Sequence, residues 1–130
     1  MPYQGHCNCG SIQITLEKQP AESIVCHCHN CRRAGGAFSV NYVVNNEDIQ
    51  LSDERSSLKM YSDSNTTSGT TITRKFCGNC GSPVLTVTPS LEGKAFLKAS
   101  LFDEISHPSA ELFAKSKEGW VQQVEGAKQQ

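Results

Sequence analysis

Along most of the chain, apolar and polar residues alternate one for one. Six stretches carry the pattern: SIQITLE (11–17), AFSVNYVV (37–44), SLKMYSD (57–63), TTITRKF (70–76), PVLTVTP (83–89) and KAFLKAS (94–100). A period of two puts alternate side chains on opposite faces of an extended strand. AELFAKS (110–116) reads as a shorter seventh strand. No stretch keeps a helical period over about 12 residues. A single helical turn is expected from His29 to Ala34, because the chain after Cys28 lacks β-branched residues. The fold class predicted is mainly β, a single domain over residues 1–130 with its core at about 3–123, built from antiparallel hairpins. Residues 62–70, SDSNTTSGT, are polar and turn-rich, which predicts a mobile loop between two strands. The last residues, EGAKQQ, are expected to fray.

Composition narrows the class. The chain has 130 residues, enough for one modest core, but only 37% are hydrophobic, so help from a metal or a partner is expected. The net charge of -1 gives no basic surface for nucleic acid and no acidic tail. No apolar run approaches the roughly 20 residues of a membrane helix. The opening MPYQGHCNCG lacks the charged and apolar regions of a signal peptide, so the expected location is cytoplasmic, possibly also nuclear. In such a compartment the glycosylation pattern Asn65-Thr66-Thr67 has no meaning.

The seven cysteines change the picture most. They fall into three tight groups: Cys7 and Cys9; Cys26, Cys28 and Cys31; Cys77 and Cys80. An odd count excludes disulfides alone, and such groups in a reducing compartment are usually metal sites. FCGNCG (76–81) is a knuckle whose glycines let backbone amides turn toward sulfur, and GHCNCG (5–10) offers a similar pair. Soft thiolates suit zinc, which takes four ligands in a closed structural site and three plus an open position in a catalytic one. The simplest partition is therefore two zinc ions. One is held by Cys7, Cys9, Cys77 and Cys80, the other by Cys26, Cys28 and Cys31. A ribbon-like alternative joins Cys28 and Cys31 to Cys77 and Cys80, and strands the other three. Spacing does not choose between them. His27 and His29 are expected to point away from the metal, as neighbours of ligating cysteines do. His6 and His107 are weaker candidates still, and His107 is expected to be solvated.

The run GHCNCGSI, VCHCHNCRRAGGAF, LKMY, SGTTITRKFCGNCGSPV, KASLFDE and Trp120 resembles the glutathione-dependent formaldehyde-activating enzymes, the CENP-V/GFA domain family. The likeness spans Gly5 to about Trp120. It implies a tent-like β fold with zinc knuckles, related to methionine-R-sulfoxide reductases and a Rab exchange factor. It also implies the first partition: structural zinc on Cys7, Cys9, Cys77 and Cys80, and catalytic zinc on Cys26, Cys28 and Cys31.

The activity implied is that of a zinc-dependent carbon–sulfur lyase joining glutathione and formaldehyde as S-hydroxymethylglutathione. The open zinc position can hold the thiol as thiolate or polarise the aldehyde oxygen. Glutathione carries two carboxylates, for which Arg32 and Arg74 are the candidate partners; their ordinary alternatives are surface ion pairs or bonds to backbone carbonyls. Gly35 and Gly36 are expected to turn the chain from the cysteine knot into the next strand. Phe38, Tyr42 and Trp120 can line a pocket wall, though core packing is the more ordinary use of each. Two other readings remain: a glutathione carrier without chemistry, and a zinc-stabilised binding module. The second lacks the basic extension such a role uses.

Overall fold

The computed structural model describes residues 1–66 and 68–130. Its strands are β1 (Tyr3–His6), β2 (Gln13–Leu16), β3 (Ser23–Cys26), β4 (Ser39–Asn45), β5 (Gln50–Ser52), β6 (Leu58–Asp63), β7 (Ile72–Cys77), β8 (Pro83–Val87), β9 (Lys94–Lys98), β10 (Pro108–Leu112) and β11 (Lys128–Gln129). One helix, α1 (His29–Gly35), follows β3. Among the described residues the strands form two sheets, β1-β2-β5 and β11-β10-β3-β4-β9-β8-β7-β6. The class is mainly β, as expected.

Alternation in the central strands explains the layering. Val40, Tyr42 and Val44 of β4, Ala95 and Leu97 of β9, and Leu85 and Val87 of β8 face a core shared with Tyr3, Ile14, Leu16 and Leu51 of the small sheet. Tyr42 and Leu97 are fully buried there. The opposite face of the same strands carries Asn41, Phe96, Lys98 and Thr86, and register aligns them: Asn41 lies opposite Lys98, Phe96 opposite Thr86, and Thr86 opposite Arg74. That second face holds the site. Gly5 permits the close approach of the layers, since a Cβ there would sit 2.6 Å from the Leu101 carbonyl oxygen.

Three expectations change. Not all pairing is antiparallel: β10 runs parallel to both β3 and β11. Such pairs need long crossovers, and the chain between β3 and β10 is the body of the sheet itself. The strand expected at 110–116 is shifted to Pro108–Leu112, because Phe113 turns into the left-handed region at φ 53°. The terminal EGAKQQ does not fray; Ala127 is buried, and Lys128 and Gln129 pair with Ala110 and Glu111. Of the loop expected at 62–70, Ser62 and Asp63 belong to β6, residues 64–66 and 68–70 lie between β6 and β7, and Thr67, with the glycosylation pattern it completes, is outside the described residues. The short strands β1, β3 and β5 were not expected, since three or four residues hold too little alternation to register.

The C-terminal segment is tied down by one buried acid. Glu111 accepts hydrogen bonds from the Val124 amide (2.9 Å), Gln129 Nε2 (2.7 Å) and Lys117 Nζ (3.1 Å), and faces His27 Nε2 at 2.7 Å. Burial raises the Glu111 pKa, but bonds from Gln129, His27, Val124 and Lys117 outweigh it and hold the carboxyl down at about 2. The unfolded acid titrates near 4.5. The charge therefore contributes stability above that value, about 3 kcal/mol at neutral pH, and the contribution is lost as pH falls toward 2. Urea melts of Glu111→Gln against the unaltered protein should show a gap of about that size at pH 7, closing between about pH 5 and 2. A gap that stays constant across the range would refute the role of the charge.

Candidate metal centre

Two turns of matching design build the first cluster. Cys7 follows β1, and Cys77 ends β7. In each, the glycine three or four residues on sits at positive φ, Gly10 at 80° and Gly81 at 82°, and bonds back to the cysteine carbonyl at 2.9 and 2.8 Å. The turns aim amides at sulfur: Ile12 N to Cys7 Sγ at 3.3 Å, and Cys80 N to Cys77 Sγ at 3.5 Å. Asn8 N donates to Ser82 Oγ at 2.9 Å and locks one turn to the other. The four sulfurs of Cys7, Cys9, Cys77 and Cys80 all lie within 4.8 Å of one another. Cys9 Sγ is 3.7 Å from Cys7 Sγ and 3.8 Å from Cys77 Sγ. Tetrahedral zinc with ~2.3 Å bonds to thiolate requires sulfurs about 3.8 Å apart. The donor set fits the ion. Ser11 and Asn79 hold the Cys9 thiol down at about 5, and Ser82 holds Cys80 at about 7, so both favour thiolate.

The second cluster forms where β3 runs into α1. Cys26 ends the strand. Cys28 caps the helix in extended conformation, and its sulfur accepts from Cys31 N at 3.3 Å. The helix closes at Gly36, φ 104°, whose amide bonds Arg32 O at 2.7 Å. The three sulfurs lie within 4.8 Å of one another, with Cys26 and Cys28 buried and Cys31 half-buried. Hydrogen bonds from Cys26 and Cys28, then Ser39 and the Lys98 charge, outweigh burial and hold Cys31 down at about 2, while hydrogen bonding to Cys28 and Cys31 together with burial pushes Cys26 up. Sulfurs crowded this closely suit a soft cation.

The structure thus groups the cysteines four and three, with no histidine in either group among the described residues. Alternation turns His27 to the face of Val25 and Glu111, away from Cys26. It is fully buried, edge-on to Phe38 with ring centroids 5.7 Å apart. His29 is exposed beside Arg32, and His6 and His107 bond backbone carbonyls of Cys7 and Glu125.

Above the three sulfurs lies a cavity of about 240 Å³. Its wall is the second face of the large sheet: Ile24, Asn41, Lys98, Phe96, Thr86, Ile72 and Arg74, closed by Thr66, Ser68 and Phe113. An open groove of about 820 Å³ continues past Arg74, lined by His29, Arg33, Tyr61 and Asn65. Arg74 Nε bonds Asp63 Oδ2 at 2.8 Å, and Asn30 Nδ2 holds the same carboxylate. Burial works against the Arg74 charge, but Asp63 and the nearby Cys31 thiolate outweigh it and raise its pKa. Arg32 is elsewhere: it pairs with Glu118 and does not line the cavity. Tyr42 is in the core, Phe38 is half-buried, and Trp120, 73% exposed, lines neither core nor cavity.

Sequence reasoning missed Asn41, Lys98, Asp63 and Asn30. Its usable signal was polar residues on one period-two face of strands whose other face is core, as in SVNYVV and KAFLKAS.

A model of the family described as glutathione-dependent formaldehyde-activating enzyme matches residues 2–121. No curated protein matches the chain. A crystal structure of a Rhodobacter sphaeroides protein shares the fold, with a TM-score of 0.62 and 21% identity over 79% of this chain and 90% of that one.

The two clusters should fail differently on mutation. Cys77→Ser and Cys9→Ser are expected to unfold the protein or lower its melting temperature sharply, since a structural zinc site can contribute about 10 kcal/mol or more. Cys28→Ser should keep the fold and lose one of two zinc ions by native mass spectrometry. Equal collapse of Cys28→Ser and Cys77→Ser in thermal melts would abolish the distinction.

Proposed function

Because the chain belongs to the family of glutathione-dependent formaldehyde-activating enzymes, we propose that it is a zinc-dependent carbon–sulfur lyase acting on glutathione–aldehyde adducts, with Cys26, Cys28 and Cys31 as the catalytic ligands. The observation that carries this reading is the position of those three sulfurs on the wall of a cavity that also presents Arg74 and Lys98. Cys26, Cys28 and Cys31 would hold the zinc, which would keep a substrate thiol as thiolate at neutral pH. Three thiolates and one divalent ion sum to one negative charge, and a fourth thiolate would make two, so the Arg74 cation beside Cys31 favours the thiol over the aldehyde oxygen in that position. The cavity admits the sulfur end of a tripeptide, and the adjoining groove has room for the remainder. Arg74 lines both spaces and serves as the carboxylate partner. Arg32 joins it only if its pair with Glu118 opens.

Cobalt in place of zinc tests the reading, since cobalt–thiolate absorption changes when a sulfur joins. Millimolar glutathione should alter the spectrum of the three-cysteine site, and S-methylglutathione should not. An unchanged spectrum with glutathione rejects thiol ligation. A changed spectrum without turnover of any aldehyde favours the carrier reading over the lyase.

A further inference from the structure

On the cavity wall a buried amide oxygen without a hydrogen-bond partner among the described residues stands beside a buried lysine. Asn41, 3% exposed, donates through Nδ2 to Ser39 Oγ at 3.1 Å, while its Oδ1 is buried without a hydrogen bond among the described residues. Lys98, 5% exposed, makes no hydrogen bond or ion pair among the described residues. A buried amide oxygen left unsatisfied costs stability, and a lysine held in a buried wall costs desolvation of its charge. The two residues are direct partners across β4 and β9, so both side chains rise from one spot on the wall. Lys98 lines the same cavity as Cys26, Cys28 and Cys31. Arg74, by contrast, bonds Asp63 through Nε.

We propose that Lys98 and Asn41 form an oxygen subsite for the adduct, binding the atom that begins as the aldehyde oxygen and ends as the hydroxyl of the thiohemiacetal. The inference rests on the lyase reading above and adds the residues that act on oxygen. In the forward direction the glutathione thiolate donates a lone pair to the carbonyl carbon. The carbon–sulfur bond forms, the π pair of the carbonyl moves to oxygen, and an alkoxide results. Lys98 Nζ donates a hydrogen bond to that oxygen as charge develops, which is the most productive place for a fixed cation in a dry site. The alkoxide then takes up from water the proton that the thiol released, and the new O–H donates to Asn41 Oδ1. Lys98 donates and Asn41 accepts, so the pair matches a hydroxyl in both its roles. The carbon–sulfur bond breaks by the reverse path. No proton leaves Lys98 at any stage.

The test separates oxygen recognition from sulfur binding. Thioacetate carries a partly charged oxygen two bonds from sulfur, as the alkoxide does, and ethanethiol carries none. In the cobalt-substituted protein, Lys98→Met should lower the preference for thioacetate over ethanethiol about tenfold or more. It should leave glutathione affinity within about threefold and slow adduct exchange, followed by NMR with glutathione and formaldehyde, about 100-fold. Methionine keeps the length and apolar stem of lysine, so the wall retains its packing. Asn41→Leu gives a second, independent variant. It should slow exchange about tenfold without weakening the thioacetate preference, because thioacetate has no O–H to donate. Unchanged preference and exchange in Lys98→Met overturn the proposal. So does a loss of glutathione affinity as large as the loss of rate, which would make Lys98 a substrate-binding contact. A wild-type protein that shows a Lys98-dependent thioacetate preference but accelerates no exchange keeps the subsite and removes the lyase.

Discussion

The four-sulfur cluster of Cys7, Cys9, Cys77 and Cys80 joins two hairpins that share no strand pairing. Cys7 and Cys9 lie between β1 and β2 of the small sheet, and Cys77 and Cys80 between β7 and β8 of the large one. The contact between these sheets is the core of Ile14, Leu16, Tyr42, Val84 and Leu97, which is small for a chain with 37% hydrophobic residues. A metal held by both turns would supply cross-linking that hydrophobic area alone does not provide at this size. The turns are prepared for it by backbone amides aimed at Cys7 and Cys77 and by serine hydroxyls beside Cys9 and Cys80.

With the small sheet clamped to one face of β4, β8 and β9, the other face is released from core packing and can carry polar residues. Lys98, Asn41, Thr86 and Arg74 occupy it in one band. The strand order places β3, with Cys26 at its end, beside β4, so the three-cysteine knot stands at the edge of that band. The three cysteines, the cation and the orphaned acceptor come from β3, the start of α1, β4 and β9, elements with few degrees of freedom left. Rigid support of this kind suits chemistry that depends on charge placed before the reaction begins.

The rear of the knot is held by a different device. His27, between two metal-ligating candidates, turns inward to Glu111, and Glu111 gathers Lys117, Val124 and Gln129 from the last turns of the chain. The C-terminal segment thereby supports the knot from the side opposite the cavity. The left-handed Phe113, just beyond Glu111, bends the chain so that its ring returns to the cavity rim. A phenylalanine in that conformation is strained by about 1–2 kcal/mol and persists because the strand and 3-10 turn on either side are fixed.

Local chemistry was written plainly in the sequence. Period-two alternation located the long strands, the absence of β-branched residues located α1, and cysteine spacing marked three groups of candidate metal ligands. Each of these is a property of neighbours in the chain, and each can be read without knowing what lies across the sheet. The sequence also left the partition of the cysteines open, because spacing says nothing about which pairs meet in space; the tertiary structure decides it by bringing the sulfurs of Cys7, Cys9, Cys77 and Cys80 within 4.8 Å of one another. Tertiary structure alone revealed that Arg74 faces the cavity while Arg32 turns to Glu118, although both flank cysteine motifs. It also revealed that the apparently frayed end is a strand, and that Asn41 and Lys98, 57 positions apart, are neighbours. Strand order and register set these relations. They arise from the burial of one face of each strand against the whole core, which no short stretch of sequence encodes.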